Sequence, residues 1–270
     1  MKNIQYNVRF LFVLMSCMIS FISTSQTDSA HVYKAPDGAS IYYETHGKGY
    51  PVVLVHGFIV NSSNWKKAAV YDELIKAGYQ VILIDLRGNG KSGKPHKAAA
   101  YENDAQAKDI MGVVSEMGIP QYDVIGYSRG SIIAARLLVL DKRVHKTVLG
   151  GMGAEFTNPE WPRRIMFYHA LMGEDVPELK SMVQNVQKSS GHDQLALAYQ
   201  QKEQPSTSKE ALGKVKKPVM VICGDKDKDN GLGTELAALI PKSQFKEVPG
   251  DHGHALATIE FAKEVLAFFK

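Results

Sequence analysis

The sequence is short of the features that most quickly mark a specialised chain. Of its 270 residues only Cys17 and Cys223 are cysteines, which excludes a scaffold held by disulfides. Lysine and arginine (32) nearly balance aspartate and glutamate (28). No long basic block and no basic stripe interleaved with aromatics occurs, so a nucleic-acid partner is not expected. His252 and His254 have no third histidine or cysteine nearby, and HxxxH spacing is missing, so no metal is expected. No internal repeat or low-complexity tract interrupts the chain. What is there is ordinary for a globular domain with a sizeable core, with 44% apolar and 22% charged residues.

The apolar run at the start, residues 10–22, is shorter than the roughly 20 residues that span a bilayer. It follows Lys2 and Arg9 and precedes Ser23-Thr24-Ser25, the form of a secretory leader. The expectation is a signal peptide at residues 1–25, removal of which leaves an exported protein, periplasmic or secreted, with no stable membrane span. Two alternatives stand beside it. One is an uncleaved anchor. The other is lipidation at Cys17, since Leu14-Met15-Ser16-Cys17 loosely resembles a lipobox, although apolar residues continue past the cysteine. After cleavage near Ser25 only Cys223 remains, and its setting in Val-Met-Val-Ile-Cys predicts a buried thiol.

Short β-type runs alternate with helical patterns, which predicts a largely parallel sheet wrapped by helices. Residues 31–34 and 40–46 flank Pro36-Asp37-Gly38 and read as an antiparallel hairpin. Residues 52–55, 81–84, 124–125, 144–149, 218–223 and 245–248 read as strands. Residues 65–77, 101–117, 131–140, 234–240 and 258–269 read as helices. Periodicity weakens over 153–210, where prolines fall among short helical patches, and this stretch is expected to be a helical cap inserted between core parts at 26–152 and 211–270.

The residues that carry chemistry sit at predicted strand ends. Gly126-Tyr127-Ser128-Arg129-Gly130 follows a short apolar strand and opens a helix. A G-x-S-x-G turn in that context lifts the serine above the sheet, next to the free N–H groups of a helix start. Serine needs a base to become a nucleophile. His252 and His254, just past the last strand, are the candidates. The base in turn needs an acid. Asp225, Asp227 and Asp229 follow the strand at 218–223, and the order serine, aspartate, histidine suits this arrangement, with Asp227 favoured. Two backbone donors for a developing oxyanion are expected at Arg129 N–H, directly after the serine, and at Phe58 N–H in the His56-Gly57-Phe58 loop. His56 itself is read as structural. The Arg129 side chain either attracts an acidic substrate or lies along the helix surface in solvent, the second being preferred. Trp161, Phe167 and Tyr168 either line an acyl pocket or form the cap's own core, the latter being preferred for at least two of them.

Taken together these residues resemble the α/β-hydrolase superfamily over almost the whole mature chain. Asp85-Leu86-Arg87-Gly88-Asn89-Gly90-Lys91-Ser92 is similar to that family's D-x-R-G-x-G-x-S loop, and His56-Gly57 to its oxyanion loop. The resemblance implies an eight-stranded, mostly parallel sheet with a short helical cap, and an acid three residues beyond the glycine that ends its strand, which is Asp227. Pro249-Gly250-Asp251-His252 is similar to members whose histidine follows an aspartate, which selects His252, whereas a Gly-His pairing selects His254. Members that act on epoxides or carbon–halogen bonds use an aspartate nucleophile, but position 128 is serine. The implied activity is cleavage of a small-molecule carboxylic ester through an acyl-enzyme, with no cofactor. Thioesterase, carbon–carbon hydrolase, peptidase, perhydrolase and a non-catalytic ligand binder are the alternatives.

Overall fold

The structure, a computed structural model, describes residues 29–270. The predicted leader, its cleavage site and Cys17 lie outside the described residues. Eight strands form one sheet: β1 (Ser29–Lys34), β2 (Ser40–Gly47), β3 (Tyr50–Val55), β4 (Tyr79–Ile84), β5 (Tyr122–Tyr127), β6 (Val144–Gly150), β7 (Val219–Gly224) and β8 (Ser243–Val248), in the spatial order β1-β2-β4-β3-β5-β6-β7-β8. Only β2 runs against its neighbours; the pairs from β4 through to β8 are all parallel. The Asp37-Gly38 turn joins β1 to β2 as the composition predicts, with Gly38 at φ +86°.

Alternation along the central strands builds two cores. Val53, Val55, Ile82, Ile84 and Val124 face one layer, while Val52, Leu54, Val81, Leu83 and Ile125 face the other. Burial on both faces is why these strands read as continuous apolar runs. The first layer is covered by α2 (Ala105–Glu116), α3 (Arg129–Leu140) and α8 (Gly233–Ala238), the second by α1 (Ala69–Lys76) and α9 (Ile259–Phe269). Between β6 and β7 lie α4 (Pro162–Leu171), α5 (Lys180–Lys188), α6 (Gln194–Lys202) and the short α7 (Lys209–Gly213). Leu171, Val186, Leu197 and Ala198 form a small core of their own among α4, α5 and α6. Among the described residues no helix is long and apolar enough to cross a membrane.

Three helices start two or more residues away from the sequence expectation, each for a local reason. The helix expected over 65–77 is a 3₁₀ segment, Ser62–Lys67, followed by an extended Ala68 and then α1; the Asn61 side chain caps the 3₁₀ segment by accepting from Ser63 N–H. The helix expected from 101 starts at Ala105, because Asn103 and Asp104 take positive φ and Asp104 holds Arg136 through both carboxylate oxygens. The helix expected from 131 starts at Arg129, directly behind the serine.

Candidate active site

The C-terminal ends of the parallel strands converge on Ser128, as open α/β sheets place their ligands. Ser128 has φ +55° and ψ −128°, a region that side chains rarely occupy, between the end of β5 and the first residue of α3. The flanking glycines make this turn feasible. A Cβ on Gly126 would collide with the Gly130 carbonyl, and one on Gly130 with the Val55 carbonyl of β3. The turn is therefore pressed between two strands and the helix start, and Ser128 N–H is held by Gly150 O at 2.8 Å.

His252 enters from the loop after β8. Its Nε2 lies 2.9 Å from Ser128 Oγ, and its Nδ1 lies 2.9 and 3.1 Å from the two carboxylate oxygens of Asp227. A carboxylate only accepts, so Nδ1 carries the ring proton and Nε2 presents its lone pair to the serine hydroxyl. Asp227 is buried behind the ring, its own N–H bonded to Gly224 O at 3.0 Å. His254 is turned outward with its side chain 83% exposed and paired to Asp251 at 2.7 Å. Asp225 accepts Gly250 N–H at 2.8 Å, which fixes the loops after β7 and β8 together, and Asp229 is exposed. Of the candidate acids and bases, the structure brings only Asp227 and His252 to Ser128.

Arg129 N–H is at the first position of α3 and Phe58 N–H is in the loop after β3; among the described residues neither has a protein acceptor. Both residues line a cavity beside Ser128. His56 is buried and spans the loop: its Nδ1 donates to Gly57 O at 2.7 Å, and its Nε2 accepts Leu86 N–H at 3.0 Å. Burial pushes its pKa down to about 4, so it serves as a neutral strut.

Residues that the sequence reading did not single out complete the site. Tyr127 OH donates to His252 O at 2.8 Å. Asn230 is buried, donates to Gly151 O at 3.2 Å and approaches His252 Nε2 at 3.5 Å. Gly151, at φ +61°, leaves room for the ring: a Cβ there would press on Tyr127, His252 and Asp227 at once. Asn89 Nδ2 donates to the carbonyls of Phe58 and Val60 at 2.7 and 2.9 Å, holding the loop after β3. Asn89 stands between two glycines in the Asp85–Ser92 loop, and an amide at that place was the signal the sequence offered.

Two expectations are corrected. The Arg129 side chain does not lie in solvent; it is 3% exposed, with Nη2 donating to Gln106 Oε1 and to Gln200 O of α6. Gln106 of α2 and Gln200 of α6 close over it, so the helix start is an interior position. Trp161 and Phe167 do not belong to the small helical core but line the cavity beside Ser128, while Tyr168 does pack there. Trp161, just before α4, is buried against the main core and presents an edge to the cavity, and Phe167 of α4 lies further along the same wall.

Two cavities share Phe58, Val60, Ser128 and His252. One, of about 250 Å³, reaches toward α4 and α6 past Ile132, Met152 and Trp161. The other, of about 280 Å³, reaches toward Trp65 and Leu256. A two-armed substrate with its reactive atom at Ser128 has room on both sides. Among the described residues no cluster of three or more histidine, cysteine, aspartate or glutamate side chains is placed to hold a metal ion.

The family model for the alpha/beta hydrolase fold matches residues 50–186. A putative non-heme chloroperoxidase of Synechocystis sp. is 34% identical over 131 residues, which is 48% of this chain and 44% of that protein, so the match spans less than half of that relative's length. Among solved structures, a hydrolase from Pseudomonas aeruginosa superimposes with a TM-score of 0.73 at 19% identity, over 89% of this chain and 98% of that one. The esterase RhEst1 from Rhodococcus sp. superimposes with a TM-score of 0.67 at 26% identity, over 89% and 98%.

Proposed function

The chain belongs to the α/β-hydrolase fold family, and on that premise we propose that it is a serine hydrolase cleaving a carboxylic ester of a small or medium-sized substrate. The observation that carries the reading is the continuous contact from Asp227 through His252 to Ser128 Oγ, at 2.9 Å on each side of the ring. In this reading His252 Nε2 takes the Ser128 proton as Oγ attacks the ester carbonyl. The tetrahedral oxyanion sits between Phe58 N–H and Arg129 N–H, at the positive end of α3. His252, now an imidazolium held by Asp227, returns the proton to the leaving alkoxide. Water activated by the same Nε2 then releases the acid and frees Ser128. Residues 153–210 act as the cap that shapes the cavity toward α4 and α6.

The similarity to a chloroperoxidase supports a second use of the same acyl-enzyme. Hydrogen peroxide in place of water as the acceptor would release a peracid, with the same proton transfers at His252.

Hydrolysis of p-nitrophenyl esters from acetate to decanoate, by the wild type and Ser128→Ala, tests the proposal. Turnover that is lost in Ser128→Ala, with covalent labelling of Ser128 by a fluorophosphonate, is the expected result. No turnover of any ester together with no labelling would overturn it in favour of a ligand-binding role. Export is part of the proposal too, and sequencing the N-terminus of the mature protein checks the predicted cleavage near Ser25.

A further inference from the structure

The cavity toward α4 and α6 has an unusual charge. Arg129, Arg163 and Arg164 line it, and no aspartate or glutamate does. Among the described residues none of the three arginines forms an ion pair. Arg164 spends its guanidinium on backbone carbonyls, donating to Gln201 O and Lys202 O at 2.8 Å each and to Pro159 O, which ties the start of α4 to the end of α6. Arg163 stacks its guanidinium over the Phe167 ring at 5.1 Å and is half-buried at the cavity wall. Arg129 is sealed beneath, with Nε and Nη1 buried and without a hydrogen-bond partner. Burying a cation with no counter-charge is costly, and burial pushes the Arg129 pKa down to about 9, which still leaves it charged at neutral pH. Asp227 does not neutralise the cavity, since it stands behind the His252 ring and does not line it.

We infer that the arm of the substrate ester that occupies this cavity carries a carboxylate, bound by Arg163 at the wall and favoured by the positive field of Arg129 and Arg164. The inference rests on the esterase reading and narrows it from esters in general to esters that carry a free carboxylate on one arm. Three features fit together. The anion supplies the counter-charge that the cavity lacks. Phe167 and Trp161 leave an apolar path for the methylenes between the ester and the anion. The fork of Arg163 suits a carboxylate's two oxygens. Desolvation by the cavity walls makes the attraction stronger than at an open surface.

The test compares matched neutral and anionic esters. Ethyl hydrogen adipate against ethyl hexanoate places the charge on the acyl arm, and the acetate ester of 4-hydroxybutyrate against butyl acetate places it on the alcohol arm. In the wild type, kcat/KM for the anionic member of at least one pair should exceed its neutral partner by about tenfold or more, the effect of one charge-assisted contact. In Arg163→Gln that ratio should collapse toward one, with folding checked by thermal melting. Raising the salt concentration should lower the ratio in the wild type, a readout that needs no variant. Equal rates within both pairs, or a ratio unmoved by Arg163→Gln in a folded protein, would overturn the inference while leaving the esterase reading intact. Failure to hydrolyse any of the four esters would instead strike at the esterase reading itself.

Discussion

Gln200 Nε2 of α6 donates to Asn89 Oδ1 at 2.7 Å, and this bond links the helical segment between β6 and β7, through Asn89, to the loop that carries Phe58. Asn89 passes the constraint on through its two bonds to the Phe58 and Val60 carbonyls. Both amides are buried, and Gly88, at φ +90°, has no Cβ to collide with Gln200. An oxyanion donor is effective only if it is already aimed before the reaction.

Asn89→Ala is therefore expected to slow the chemical step. Losing an oxyanion donor altogether typically costs about 10²–10³ in kcat, and a donor left in place but loosely held should cost about tenfold. KM should change less than kcat, because the lost contact is made to the loop and not to the ground-state substrate. Gln200→Ala should have a smaller effect, since Asn89 keeps both carbonyl bonds. Steady-state kinetics on one p-nitrophenyl ester checks both variants, and unchanged kcat in Asn89→Ala would show that the loop holds itself.

Ser128 offers a way to separate function from stability. A non-glycine residue held at φ +55° carries strain of about 1–3 kcal/mol. Ser128→Ala and Ser128→Gly should both be inactive as esterases. Ser128→Gly should nonetheless be the more stable of the two by about 1 kcal/mol, after allowing for the extra entropy of glycine in the unfolded chain. Thermal melting of the two variants side by side measures this, and an Ala variant at least as stable as the Gly variant would mean that the turn is not strained.

How much of this was legible in the sequence depended on how local the cause was. Strands β3 and β7 announced themselves as apolar runs because both of their faces are buried. Ser128 sits in a G-x-S-x-G turn, Asp227 follows the glycine that ends β7 and His252 follows β8 closely, so the loops that bring the three groups together were legible from local sequence and chain order. The choice of His252 over His254 needed the resemblance, and the structure separates them by burial and by the orientation of the loop after β8. What could not be read was anything set by contacts between distant segments. Arg129 looks like a surface residue from its helix position, and the packing of α2 and α6 around it makes it interior. The Gln200 to Asn89 bond joins residues 111 positions apart. The start of α2 shifted because Asp104 answers to Arg136 on α3 and not to its own helix.

His56 sets the last expectation, a pH dependence of stability. Burial lowers its pKa to about 4 in the folded protein, outweighing the bond to Gly57 O and the nearby Asp85, which raise it, with Arg129 adding to the lowering. An unfolded chain returns the imidazole to about 6.5. Between those values the unfolded state binds the proton and the folded state does not, so the stability contributed by neutral His56 is present above pH 6.5 and is lost as the pH falls toward 4. Going from pH 7 to pH 5 should cost about 2 kcal/mol from this group alone. His56→Gln keeps a donor and an acceptor but does not titrate. Urea unfolding of both proteins at the two pH values isolates the effect, because other acid-sensitive groups are common to both and cancel in the difference. The wild type should lose about 2 kcal/mol more than the variant; parallel losses would mean that His56 takes up its proton without leaving its place between Gly57 and Leu86.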